Sequence, residues 1–166
     1  MTPPRSPANH PPTDVADLLL AAVTLLPIDG GLVLLDSFSA HNPDFFDSIV
    51  ELFGATEEAH VRAEVKRAKQ RATALRALDV PGVRVLGGSA FGAEQARASH
   101  RIAFTMAPIV SRDGRTGLLV FQIETASRRS AIAVDHWVLL RKNNAGEWKR
   151  APIPAPLRQV LHLTEE

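Results

Sequence analysis

Ala131–Ile153, which reads AIAVDHWVLLRKNNAGEWKRAPI, is the stretch that decides the fold. The run from Ile132 to Arg141 is apolar on both faces and predicts a buried strand. Asn143 to Gly146 has the composition of a tight turn. The short run from Trp148 to Ile153 predicts a final strand. Because strands joined by so short a connection pair antiparallel, this region predicts a hairpin at the end of an antiparallel sheet.

Two further strands precede this hairpin, because apolar residues alternate with more polar ones along each of them. The alternating apolar positions are Ile102, Phe104 and Met106 in the first strand and Leu119, Phe121 and Ile123 in the second. Arg112-Asp113-Gly114 has the composition of the turn between them.

The first half of the chain predicts helices. The apolar spacing indicates one helix from Asp14 to about Leu26, one that begins at Asn42 and ends at Gly54, and a long one from Thr56 to about Leu78. Residues 32–35 are ambiguous between a buried strand and a further helical turn. The glycine-rich residues 87–92 predict a flexible loop.

Composition excludes several classes of site. The chain of 166 residues contains no cysteine, which rules out disulfides, thiolate nucleophiles and cysteine-based zinc sites. Its net charge of +1 argues against general nucleic-acid binding. No phosphate loop, dinucleotide fingerprint or zinc-protease motif occurs, so no cofactor is expected. The longest apolar run is too short to span a membrane, and we expect a cytoplasmic protein.

The last hairpin resembles the nuclear transport factor two-like superfamily. Asp135 to Lys142, the turn at residues 143–146 and Glu147-Trp148-Lys149 are similar to the strand, glycine-containing turn and Trp-Lys strand with which many members close their sheet. The resemblance implies a sheet curled into a cone around an apolar pocket, and a homodimer. Members usually place a small strand pair before the third helix. No such pair precedes Thr56, so a different helix-on-sheet fold stays open.

We therefore expect a single α+β domain over residues 13–166. Its N-terminal helices pack on a C-terminal curved antiparallel sheet of about four to five strands. Residues 1–12 include five prolines, which predicts a disordered tail.

Asp135, His136 and Glu124 are the candidate acid–base residues. Enzymes of the resembling superfamily often use an Asp and a His, which implies this role for the adjacent pair. Neighbouring strand residues point to opposite faces, however, so Asp135 and His136 do not form a dyad with each other unless a bulge intervenes. Glu124 follows Val120 and Gln122 on one face of its strand. A carboxylate in such a place would act as a base if the face borders an apolar cavity, because burial there would raise its pKa. The alternative is one structural histidine and two surface or paired carboxylates.

His100, Phe104 and Trp137 are the candidate ligand-binding residues. His100 begins the strand that contains Phe104, and it would lie at the mouth of a pocket if that face lines one. Trp137 shares a strand face with Asp135. The alternative is that His100 is simply a polar residue at a strand end. An apolar small molecule is the ligand class that such a pocket predicts.

Glu57 and His60 have the Glu-x-x-His spacing found in carboxylate-bridged metal bundles. Such bundles need two copies of the motif and two further glutamates, and the sequence has one copy. We therefore expect no metal.

The long helix is the most basic segment of the chain, with Glu64 the one acid among its basic residues. The candidate partner-binding residues are Arg62, Lys66, Arg67, Lys69 and Arg71. They would bind an acidic protein or, with less support because few aromatic residues are interleaved, nucleic acid. The alternative is a solvated helix face.

Three functions follow from these features. The first is a ligand-binding or protein-interaction module without catalysis. The second is a small isomerase or dehydratase whose acid–base residues converge in one apolar pocket. The third is a binder of nucleic acid or of an acidic protein through the basic helix.

Overall fold

The computed structural model describes residues 12–161 and 163. The helices are α1 (Pro12–Thr24), α2 (Phe46–Phe53), α3 (Glu58–Arg67), α4 (Ala72–Arg76), α5 (Gly88–Gln95) and α6 (Ala155–Val160). The strands are β1 (Leu32–Ser39), β2 (Val83–Leu86), β3 (His100–Met106), β4 (Ile109–Val110), β5 (Thr116–Ala126), β6 (Ala131–Lys142) and β7 (Trp148–Arg150). The predicted tail, residues 1–12, lies outside the described residues except for Pro12, the first residue of α1.

The seven strands form one mixed sheet in the order β2-β1-β3-β5-β6-β7, with β4 beside β5. β1 lies parallel to both β2 and β3, and the remaining pairs are antiparallel. The α+β prediction is confirmed. The expectation of four to five purely antiparallel strands is wrong, because the ambiguous run at residues 32–35 is the start of a strand inserted between two others.

α1 covers one face of the sheet and forms the larger core. Leu18 and Leu19 of α1 pack with Phe121 and Leu140, and all four side chains are fully buried. The helix approaches the sheet closely where β5 has Gly117. A Cβ atom on this residue would lie 2.6 Å from Leu18 Cδ1, so glycine is needed there.

α2 and α3 cover part of the opposite face. Ile49 of α2 and Val61 of α3 pack with Leu118, Trp137 and Leu139 of the sheet. Because α1 lies on one face and these helices on the other, the second half of β6 is buried from both sides.

The helix predicted to begin at Asn42 starts there as a 3₁₀ turn, and α2 itself begins at Phe46. The side chain of Asn42 accepts a hydrogen bond of 3.0 Å from the backbone N–H of Asp44, and Pro43 opens a single 3₁₀ turn that leads into the helix. Gly54 follows the helix with a positive φ of 105°, a conformation that favours glycine.

The long helix predicted for residues 56–78 is wrong in its continuity. α3 ends at Arg67, a 3₁₀ turn spans Ala68–Arg71, and α4 follows. The tighter turn coincides with an ion pair in which Arg71 reaches back over seven residues to Glu64.

The predicted flexible loop at residues 87–92 is also wrong, because most of it belongs to α5. Phe91 anchors this helix. Its buried ring packs with Val33 of β1 and Ile102 of β3, so α5 covers the far end of the same sheet face as α2 and α3.

Candidate functional site

The two edges of β6 differ in how many residues they pair with a neighbouring strand. Its inner side forms eleven pairs with β5, from Ala131 to Arg141. Its outer side forms only three pairs with β7, from Leu140 to Lys142. One further bond of 2.8 Å joins the backbone N–H of Ala151 to the carbonyl of Leu139. Among the described residues no strand pairs with the outer side of residues 131–138, which we call the free edge.

At alternate residues of the free edge, the backbone groups have no strand partner in the described part of the chain. In an antiparallel ladder the N–H and C=O of one residue point to the same side of the strand, and successive residues alternate. The Leu139 carbonyl points outward to Ala151, and the Lys142 N–H points inward to Arg115. The alternation therefore directs the backbone groups of Ala131, Ala133, Asp135 and Trp137 outward.

A groove of about 660 Å³ lies along the inner part of the free edge. Residues 134–138 of β6 form its floor. The end of α1 and the loop after it form one wall through Leu25, Leu26 and Pro27. The chain that follows β7 forms the other wall, with Arg150, Ala151, Pro152, Ile153, Arg158 and Leu163.

Exposed apolar side chains concentrate at this edge. Within the described part of the chain, four large hydrophobic side chains are exposed, and three of them are Leu25, Ile132 and Val134. Leu25 and Val134 line the groove. Ile132, at 62% exposure, lies two residues from Val134 on the same strand face. Natural sheets protect such edges with lysine, proline or a bulge, but residues 131–134 are apolar and their pairing with β5 is regular.

The charges around the free edge are mostly positive. Arg128 and Arg129 are exposed in the turn between β5 and β6, and Arg150 and Arg158 line the groove. Asp135 is the acidic residue that lines the groove in the described part of the chain.

Three candidates from the sequence line this groove, namely Asp135, His136 and Trp137. Asp135 and His136 belong to opposite strand faces, as predicted. Both reach the groove because it follows the strand edge and not one face of the sheet. The sequence could not indicate the groove itself, since it depends on where β7 stops pairing.

Glu124 does not join these residues in the groove. It lies on β5, where its pairing partner in β6 is Ala133, two residues before Asp135. Its carboxylate accepts a hydrogen bond of 2.8 Å from His100 Nε2, so two residues predicted for different roles form one pair.

Two acceptors bond to the ring of His100 and favour its charged form. Its Nδ1 donates to the Arg97 carbonyl at 2.8 Å, and its Nε2 donates to Glu124. The Arg97 carbonyl first and the Glu124 carboxylate second raise the pKa of His100 above its ordinary 6.5. Both ring nitrogens of His100 therefore already have a hydrogen-bond partner within the protein.

Phe104 packs against protein and not against open space. Its ring meets that of Phe91 edge-on, with centroids 5.4 Å apart and an interplanar angle of 71°. α5 therefore covers part of the strand face on which the sequence predicts a ligand, and Phe104 stays partly exposed.

The basic helix is largely neutralised within the chain. Arg62 pairs with Glu58 at 2.8 Å and lies over the ring of Phe46. Arg67 and Arg71 pair with Glu64, whose side chain is fully buried. Of the five candidate partner-binding residues, Lys66 and Lys69 are the two that are exposed without an ion pair among the described residues.

Glu64 organises a network that sequence reasoning missed. Besides the two arginines, it accepts a hydrogen bond of 3.1 Å from the backbone N–H of Val110. His60 Nε2 donates to the carbonyl of the same residue at 2.6 Å. The side chains of Glu64 and His60 therefore hold β4 against α3 through hydrogen bonds to Val110. No local sequence pattern indicates these contacts, because the residues lie about 50 positions apart in the sequence.

His41 and Glu57 complete the contacts around this region. His41 Nε2 donates to the Ala107 carbonyl at 2.7 Å, and burial lowers the pKa of His41 below 6.5. Glu57 pairs with Arg112 at 2.8 Å. The Glu57–His60 spacing therefore serves contacts to the β4–β5 region, and no cluster of metal-ligating residues occurs among the residues described.

Comparison with protein-family models, with curated proteins and with solved structures finds no match for this chain. Within the described residues, no helix is both long enough and apolar enough to cross a membrane.

Proposed function

We propose that this protein is a protein-interaction module that binds an extended segment of another protein as an added strand along the free edge. One observation carries the proposal: the floor of the groove is a strand edge whose outward backbone groups have no strand partner among the described residues. An added strand supplies hydrogen bonds to such an edge, and pockets beside it select alternate side chains.

An extended chain fits this groove better than a compact small molecule. The groove is open to solvent and begins at Val134, and the exposed residues 131–133 extend the same strand edge beyond it. A peptide strand would place successive side chains alternately against Leu25 and Pro27 on one wall and against Ile153 and Leu163 on the other. Ile132 and Val134 would then pack against the added strand.

Catalysis has less support from the same geometry. Glu124 is bonded to His100 and lies outside the groove, so the three predicted acid–base residues do not share one cavity. Asp135 and His136 remain at the groove, where a role in binding needs no proton transfer.

A displayed library of random nine-residue peptides tests the proposal. We expect enriched peptides to bind the wild-type protein and to lose binding to Ala133→Pro and Val134→Lys. Proline at residue 133 removes an outward N–H that makes no bond to β5, so the fold is retained. Thr125→Lys is the matched control, because Thr125 is exposed on the same sheet face but on β5.

N-methylation of an enriched peptide distinguishes strand addition from side-chain docking. An added strand directs every second N–H toward the free edge. Methylation of one alternate set should therefore abolish binding, and methylation of the other set should not. Peptides that bind Ala133→Pro as tightly as wild type, or that show no such alternation, would refute strand addition.

A further inference from the structure

We infer, on the basis of the proposed strand addition, that the bound segment is acidic at its ends and apolar at its centre, and that it is not a second copy of this chain. The inference rests on the charges at the two ends of the free edge. Arg128 and Arg129 lie at one end, and Arg158 lies beside the other. Between them, Ala131 to Val134 are apolar and exposed.

Three arginines near the free edge differ from most of the other arginines that the structure describes. Seven arginines elsewhere pair with a carboxylate, namely Arg62, Arg67, Arg71, Arg76, Arg84, Arg97 and Arg112. By contrast, Arg128, Arg129 and Arg158 form no ion pair with any residue that the structure describes. A partner segment with carboxylates at its ends supplies the missing negative charge.

The spacing of these charges suits a short strand. Residues 131 to 137 extend over about 20 Å at the rise of a β-strand. A segment of roughly seven residues therefore spans the edge with its central apolar residues over Ile132 and Val134. Acidic residues at its two ends then lie next to Arg128 and Arg129 at one end and next to Arg158 at the other.

A second copy fits this edge poorly. Two copies would pair antiparallel through their free edges if Ile132 of one copy lay opposite Val134 of the other. The two-fold axis of that pair would pass through Ala133. In that register the turn containing Arg128 and Arg129 meets residues 137 and 138 of the other copy, where Arg150 and Arg158 line the groove. Like charges would meet twice because the arrangement is symmetric, which disfavours the pairing.

Three synthetic peptides with one apolar core test the inference. The core is Val-Thr-Val-Thr-Val, and it is flanked on both sides by Asp-Glu, by Asn-Gln or by Lys-Arg. Fluorescence anisotropy gives each dissociation constant at low and at high salt. We expect the acidic peptide to bind at least about tenfold more tightly than the neutral one. We also expect its advantage to shrink as salt rises and the basic peptide not to bind.

Charge-reversal variants test which residues cause the preference for the acidic peptide. Arg128→Glu with Arg129→Glu should remove the preference for the acidic peptide. Lys66→Glu with Lys69→Glu is the matched control, because it makes the same charge change at exposed residues of the basic helix. If the control removes the preference equally, overall net charge is responsible and the inference falls.

The outcomes for the inference and for the proposed function are distinct. If the neutral peptide binds as tightly as the acidic one and still requires an intact free edge, strand addition stands and the acidic partner is rejected. If no peptide depends on Ala133 or Val134, strand addition itself fails. Ala133→Cys tests the second copy, because the chain has no other cysteine. An Ala133→Cys protein that cross-links to itself in mild oxidant, with Ala131→Cys failing to do so, would overturn the inference.

Discussion

The two halves of β6 have the same partner and opposite surroundings. Both pair with β5 in one unbroken register. From Trp137 to Leu140 the strand is buried, with α1 on one face and α2 and α3 on the other. From Ala131 to Val134 all four residues are exposed. The difference shows that ladder pairing orders a strand without burying its side chains.

The largest expected effect is the loss of protein stability caused by a substitution in the buried half of β6. Leu140→Ala should lower the free energy of unfolding by about 3 kcal/mol, because Leu140 is fully buried and the surrounding core cannot close the cavity. Ile132→Ala, in the exposed half, should change it by less than about 0.5 kcal/mol. Urea denaturation of both variants measures the difference. Equal losses would mean that the exposed half is covered in solution.

A smaller effect is expected from the ion network beside the buried half. Glu64→Gln should cost about 2 kcal/mol, since it leaves Arg67 and Arg71 without their carboxylate, although Arg67 keeps partial access to water. Glu58→Gln is the control, because its pair with Arg62 is exposed and contributes little. Thermal unfolding of the two variants should rank them in this order, and a reversed ranking would contradict the network.

The smallest effects are expected from pH, and they should differ in sign between the two ends of the sheet. Burial lowers the pKa of His41 near the buried end, so its contribution to stability is present above about 6.5 and is lost as pH falls. The Arg97 carbonyl and Glu124 raise the pKa of His100 at the exposed end. Its contribution is full below about 6.5 and is lost as pH rises through the raised value.

Melting temperatures of His41→Gln and His100→Gln between pH 5 and pH 8 check these signs. The first variant should lose more relative to wild type at high pH, and the second should lose more at low pH. The same sign for both would show that one of the two hydrogen-bond arrangements is absent in solution.

The sequence predicts the antiparallel half of the sheet because its signals are local. The alternation in β3 and β5 and the turn at residues 143–146 each act over a few residues. β1 was ambiguous for the opposite reason. Leu32 to Leu35 is a short apolar run, and its partners Val83 and Ile102 lie about 50 and 70 residues later, so no local period identifies them.

Three of the residues that line the groove stand out in the sequence, but the geometry of the groove does not. Asp135, His136 and Trp137 are notable in the sequence as polar and aromatic residues within an apolar strand. That they share a groove follows from the early end of β7 and from the path of the chain after it, both of which are tertiary features. Glu64 was hidden for a similar reason, because Val110 and Arg71 approach it only in the folded chain.

The connectivity of the sheet also sets an expected order of assembly. β5 and β6 are joined by residues 127–130 alone, so their ladder closes a very short loop. β1 meets β3 only after a loop of more than 60 residues has closed, which makes its parallel pairing slow. The exposed half of β6 therefore belongs to the earliest ladder to form. During folding, the exposed half of β6 is therefore expected to form its strand before β1 pairs with β3.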